Sequence, residues 1–154
     1  MKSKISYGKA VYDKNEINAV VKTLEKSTQM GANVSKFEER VAKLFNKKYS
    51  VMVNSGSSAL LLAFEILKLF NKSNKIEVIT PVLTFATTVS TIIKSGFKPV
   101  FTDIDISTLC IDEKLIESKI SKQTLAICVP NLIGNLPNWK KIKKIAKKHN
   151  LLTI

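Results

Sequence analysis

Apolar residues recur along this chain with two different periods, and the alternation between them sets the expected fold. Ile17, Val20, Val21 and Leu24 follow helical spacing behind Asp13 and Glu16, a pair able to close a capping box at a helix start. One face of that helix is apolar and should pack on something. A second helix carries Val34, Phe37, Val41 and Leu44 as its stripe and leaves Lys36, Glu38, Glu39, Arg40 and Lys43 for solvent. Tyr7 to Tyr12 reads as an extended arm before the first helix, Ser27 to Asn33 as the loop after it, and Asn46 to Lys48 as a polar break.

Beyond the break, short apolar runs near 51–53, 76–79, 98–102, 124–129 and 150–154 are each separated by a segment of helical spacing. Strands alternating with helices predict right-handed crossovers in an α/β fold: a mostly parallel sheet with helices on both faces. The helix after Gly56 is apolar nearly all round, as in a helix buried within a larger body. The next helix carries Val89, Ile92 and Ile93 and ends at Gly96, and the strand from Lys98 runs to two acids, Asp103 and Asp105. Asp112 opens a short helix with Leu115, Ile116 and Ile120 inward. In the last helix Trp139, Ile142, Ile145, Ala146 and His149 share a face, with six lysines off it.

Composition narrows the function classes. At 154 residues the chain can bury a sizeable core and is one domain or a piece of a larger one. No apolar run is long enough to cross a bilayer, and Met1 to Ser6 lacks the apolar core of a secretory signal. Cys110 and Cys128 have neither metal nor redox spacing, which suits a reducing cytoplasm. The net charge of +13 would ordinarily suggest a nucleic acid or an anionic membrane. Arg40 is the only arginine, however, and the lysines run the length of the chain, so they read as compositional bias; neither nucleic acid nor membrane is the expected partner. Trp139 belongs to a core stripe rather than a base-stacking platform, and His149 to a last helical turn that favours a cation; neither is read as catalytic.

Three loops at strand ends hold the candidate chemistry: Asn54 to Ser58, Thr84-Phe85, and Asn131 to Asn135. A helix starting at Gly56-Ser57-Ser58 offers unpaired N–H groups and a positive dipole end to an anion, although a serine-capped buried helix would use the same residues. An aromatic on a neighbouring loop suits a phosphorylated planar cofactor, with the ring stacked on Phe85; Phe85 could equally be core. No glycine-rich dinucleotide fingerprint and no nucleoside-triphosphate loop is present.

The motifs Phe37-Glu38, Val53-Asn-Ser-Gly-Ser-Ser-Ala-Leu60, Glu77-Val-Ile-Thr-Pro81, Thr84-Phe-Ala-Thr87, Gly96-Phe-Lys-Pro-Val-Phe-Thr-Asp-Ile-Asp105 and Gly134 occur in an order that resembles the DegT/DnrJ/EryC1/StrS family. These are sugar aminotransferases dependent on pyridoxal phosphate, with related dehydratases. Tyr7 to Asp13, Asn54 to Ser58 and Leu132 to Asn135 look most like the branch of NDP-4-keto-6-deoxyhexose 3-dehydratases.

The resemblance implies a type I aminotransferase-like large domain, incomplete at its C-terminus, with residues 1–30 as an N-terminal arm and helix and 31–154 as the first portion of the cofactor-binding domain. It implies pyridoxal phosphate or pyridoxamine phosphate in the intact relative. Gly56, Ser57 and Ser58 would take the phosphate, and Phe85 the ring. Asn131 stands where many relatives have histidine, and an amide can donate a hydrogen bond but cannot titrate. The substrate of the intact relative would be a nucleotide-linked keto-deoxysugar in surface-polysaccharide biosynthesis. The family's acid for the pyridine nitrogen follows the strand matching Leu151 to Ile154, and the lysine that anchors the cofactor, or the histidine replacing it in 3-dehydratases, comes later. The resemblance therefore assigns no catalytic residue and no metal ligand here. It implies a chain inactive alone, in a homo-oligomer; the alternative, motivated by the apolar helices and an unpaired sheet edge, is a non-catalytic module docking on a full-length paralogue.

Overall fold

The computed structural model describes residues 8–26, 28–29 and 31–154. Tyr7 of the expected arm and Ser27 and Met30 of the expected loop lie outside the described residues, as does the start of the chain. Two compact units emerge, one up to Met52 and one from Val53.

The first unit holds α1 (Lys14–Lys26) and α2 (Ala32–Leu44). The capping box forms: the Asp13 N–H donates to Glu16 Oε2 at 2.8 Å, and Asp13 Oδ1 accepts from the Asn15 N–H at 2.7 Å. The expectation that the α1 stripe packs on a neighbour is not met. Ile17, Val20, Val21 and Leu24 are all exposed, and α1 has no buried residue. In α2 only Ala42 is buried.

The expected strand at 51–53 is also absent. Ser50 Oγ donates to the Glu38 carbonyl at 2.6 Å and the Met52 N–H to Glu38 Oε1 at 2.8 Å, so a side chain of α2 takes the Met52 N–H that a strand would have paired. Val51 and Met52 are exposed.

The second unit contains α3 (Gly56–Phe70), β1 (Glu77–Pro81), α4 (Ala86–Lys94), β2 (Lys98–Thr102), β3 (Ile104–Asp105), β4 (Cys110–Ile111), α5 (Glu113–Ile116), β5 (Thr124–Ile127), α6 (Trp139–Lys148) and β6 (Leu152–Thr153). Short 3₁₀ turns lie at Glu117–Lys119 and Leu132–Gly134. Four strands form a sheet in the order β2-β1-β5-β6, every pair parallel, with Ile79 opposite Val100 on one side and Ile127 on the other.

Alternating side chains of the central strand feed two cores. Val78 joins Phe64 and Leu67 of α3, Ile92 of α4 and Phe97 on one face. Ile79 joins Ile116, Ile142 and Ala146 on the other. A sheet covered on both faces explains why β1 is apolar along its length. At the end of α4 the Gly96 N–H donates to the Ile93 carbonyl and the Phe97 N–H to that of Ile92, a Schellman closure that places Gly96 at φ 84°.

The single strand expected from Lys98 to Asp105 is broken after Thr102. Its last residues form β3, antiparallel to β4. Asp105 turns the chain by accepting from the Ser107 N–H and hydroxyl, which holds its carboxyl below the usual range. Leu115 is partly exposed while Ile116 is fully buried, so the short helix turns inward mainly through Ile116. In α3, Phe64 and Leu67 are buried, but Leu62, Ile66, Leu69 and Phe70 are exposed. Among the described residues no helix is long and apolar enough to cross a membrane, and no cluster of histidine, cysteine and carboxylate groups could hold a metal.

Candidate functional site

The carboxyl ends of β5 and β6 open beside the start of α3, the kind of crevice where open α/β sheets place ligands. A cleft of about 340 Å³ lies there, lined among others by Gly56, Ala59, Thr88, Cys128, Pro130 and Ile154. Of the three loops singled out from the sequence only the first lines it, through Gly56. The other two are represented by chain neighbours, Thr88, whose N–H donates to the Phe85 carbonyl, and Pro130, which precedes Asn131, while Ser57, Ser58, Phe85 and Asn131 are not among its lining residues.

The start of α3 is built by Ser55. Its extended backbone brings Oγ to accept from the Ser58 N–H at 3.1 Å, and its carbonyl accepts from the Ala59 N–H at 3.0 Å. A serine cap is thus present, one residue before the glycine. Its side chain engages one free amide of the helix start, that of Ser58, the Ala59 bond being the first of the helix itself, and leaves those of Gly56 and Ser57 without a partner among the described residues. Ser58 has its amide committed to the cap and keeps a hydroxyl, which accepts from Ser55 Oγ at 3.1 Å. A Cβ at Gly56 would meet nothing within 4 Å, so the approach to these amides is open.

Phe85 is the N-cap residue of α4 and is 66% exposed, so the core alternative for this residue does not hold. Beside it, Thr84 Oγ1 is shielded from solvent and has no hydrogen-bond partner among the described residues. Asn131 is exposed, and its Oδ1 accepts from the Trp139 indole N–H at 3.0 Å. Trp139 itself packs against the core cluster of Ile79 and Ile142, as its place on the α6 stripe predicts.

The cleft is lined without charged side chains. Burial pushes the Cys128 thiol up to about 12, so it stays neutral and is no nucleophile. The positive end of α3 is the remaining polarity of the seat. The other face of the sheet carries the ionic groups. Lys141 bridges Glu113 at 2.9 Å, while Lys148 and His149 both reach Glu117 Oε1 at 2.8 Å. These hydrogen bonds hold both carboxyls below their usual range, Glu113 through Lys141 and Glu117 through Lys148 and then His149. His149 thus ties the end of α6 to the turn after α5, away from the cleft.

Sequence reasoning did not find Thr88, Cys128 or Ile154 as cleft residues, because each lies on a core-like stripe. The bond between Asn131 and Trp139 was also hidden, since it spans a 3₁₀ turn with no periodic signature.

The geometry agrees with known proteins. The model of the DegT/DnrJ/EryC1/StrS aminotransferase family matches residues 11–154. The chain is 35% identical over 150 residues to GDP-4-keto-6-deoxy-D-mannose 3-dehydratase of Yersinia pseudotuberculosis, covering 94% of this chain and 38% of that protein. It is 35% identical over 144 residues to dTDP-3-amino-3,6-dideoxy-alpha-D-galactopyranose transaminase of Aneurinibacillus thermoaerophilus, covering 93% and 39%.

Among solved structures, the E. coli GDP-4-keto-6-deoxy-D-mannose-3-dehydratase with bound hydrated PLP superposes with a TM-score of 0.84 at 33% identity, over 94% of this chain and 38% of that one. Helicobacter pylori PseC, an aminotransferase of pseudoaminic acid biosynthesis, does so at 0.89 and 29%, over 98% and 40%. The chain spans about two fifths of the length of these relatives. With the family model matched over nearly its whole length, the chain belongs to the DegT/DnrJ/EryC1/StrS aminotransferase family.

Proposed function

We infer that this chain provides the phosphate seat and one wall of a pyridoxal phosphate or pyridoxamine phosphate site, in an enzyme that deoxygenates or aminates a nucleotide-linked keto-deoxysugar for surface polysaccharide. The carrying observation is the pair of unpartnered amides at Gly56 and Ser57, at the mouth of a cleft that Gly56 itself lines. The residues present fit the group. An uncharged cleft with a helix-dipole end favours a phosphate, an exposed ring at Phe85 is free to stack, and the unpartnered Thr84 hydroxyl adds a polar group beside it. The bound cofactor would supply a ring that withdraws electrons from the sugar carbon. The chain's own residues hold the phosphate through Gly56 and Ser57, orient the ring at Phe85, and offer an amide donor at Asn131.

On this reading the 154 residues bind the cofactor loosely and do not turn over sugar alone. Gly56→Pro tests the seat. Proline is tolerated at the first helical position, the extended Ser55 suits the residue before it, and the change removes one free amide. Pyridoxine 5′-phosphate, which cannot react with lysines, should bind roughly tenfold more weakly in a calorimetric titration. The same affinity in both chains would sink the seat. Pyridoxal phosphate with borohydride should give no stoichiometric adduct at one lysine.

A second reading, a non-catalytic module that pairs with a full-length relative, is favoured by the exposed stripe of α1. Co-elution with such a relative in size-exclusion chromatography tests it.

A further inference from the structure

Asn131 is not a symmetric polar group in this fold. An indole N–H can only donate, so the 3.0 Å contact with Trp139 requires the amide oxygen of Asn131 to face the ring. Its Nδ2 then carries two protons that bond to no described residue, on an exposed side chain immediately after Pro130 of the cleft. The loop is clamped at its other end as well, where Asn135 Nδ2 donates to the Thr108 carbonyl at 2.7 Å. Between the clamps Ile133 sits at φ 55°, ψ 26°, a left-handed conformation disfavoured for a β-branched residue, with its side chain 79% exposed. No burial of Ile133 offsets that strain. The loop holds this shape while presenting Asn131, a pattern that points to function.

We propose that Trp139 is a positioning residue: by occupying the amide oxygen, it makes Asn131 a donor-only contact that selects ligands presenting an acceptor oxygen beside the phosphate seat. This rests on the cofactor reading above. The indole is well placed for the task because its ring packs against the core beneath α6, and Asn138 fixes the start of that helix by accepting from the Lys141 N–H at 3.2 Å. A histidine at position 131 could change its proton count. The Trp139-held amide cannot, so its polarity is the same at every pH where the fold persists.

The test uses two probes on the 154-residue chain, pyridoxine 5′-phosphate and inorganic phosphate, by calorimetry. Trp139→Phe and Asn131→Ala should each weaken pyridoxine 5′-phosphate roughly three- to tenfold and leave inorganic phosphate unchanged, since only the ring-side oxygen is read. A purely structural role for Trp139 would lower both affinities together. Trp139 is the only tryptophan, so ¹⁵N correlation spectra show one indole N–H resonance, and it should shift in Asn131→Ala. An unmoved resonance, or Trp139→Phe binding pyridoxine 5′-phosphate as the parent does, overturns the positioning role alone. A parent chain that binds neither probe overturns the phosphate seat and this inference with it.

Discussion

Two amphipathic helices of this chain have opposite fates. Both α1 and α6 open with a side-chain cap, both carry an apolar stripe at helical spacing and both are rich in lysine. In α6 the stripe closes a core, with Ile142 and Ala146 buried beneath Ile79 and Ile127 of the sheet. In α1 every stripe residue stays at least 45% exposed. The period therefore specifies a helix and its apolar face, but burial depends on a neighbour. A sheet strand with side chains on both sides provides one for α6, and no described residue of its own unit does so for α1.

The largest way to break that comparison is to remove the stripes. Ile142→Ala leaves a cavity against the sheet and should cost about 2–5 kcal/mol in urea denaturation. Val20→Ala in α1 should stay within about 0.5 kcal/mol, because the side chain is already more than half in water. Equal losses would mean that α1 is buried in solution. Repeating the Val20→Ala measurement with a full-length relative sharpens the contrast, since a docked stripe would raise its cost.

The sequence made the second unit legible and the first only locally so. Strands β1, β2 and β5 and the helices around them follow from periodicity because each finds a packed face within the unit, although α3, apolar nearly all round, buries only Phe64 and Leu67 and leaves Leu62, Ile66, Leu69 and Phe70 exposed. The segment 51–53 looked like another strand because periodicity reports an apolar run and not where its N–H groups go; Glu38 captures that of Met52. The β3–β4 turn was missed for a related reason: Asp105 satisfies backbone donors locally, which two acids after a strand do not reveal. At the site, Gly56, Ser57 and Phe85 stood out from residue type and spacing. The serine cap one residue earlier and the indole on Asn131 needed three dimensions, because both are bonds between side chains and backbone, or side chains alone, without a repeat.

A smaller effect separates capping from site-building in α3. Ser55→Ala removes the acceptor for the Ser58 N–H and should cost about 1 kcal/mol of stability. It also frees a third amide at the phosphate seat. Added phosphate should therefore raise the melting midpoint of Ser55→Ala by more than that of the parent chain. A cap mutant in α1, Asp13→Ala, should lose similar stability from the same class of contact and gain nothing from phosphate, since no site is proposed there.

The smallest expected effect concerns the ion pairs that fasten α6 to α5 and the turn after it, contacts that α1 does not share and that carry a pH dependence. Glu113 and Glu117 both sit below their ordinary value of 4.5 in the folded chain, held there first by hydrogen bonds from Lys141 and Lys148 respectively. A lowered carboxyl pKa means that the folded state keeps the negative charge to lower pH than the unfolded state does. The stabilisation is thus complete above 4.5 and disappears as the pH falls through the folded values. Glu117 is solvent-exposed and shared between Lys148 and His149, so salt should weaken its share readily. The double variant Glu113→Gln, Glu117→Gln should melt slightly below the parent at pH 7, and the two midpoints should converge as the pH falls through the lowered folded values. A gap that persists there would assign the difference to packing beside Ile145 rather than to charge, and α6 would then be held by its apolar stripe alone.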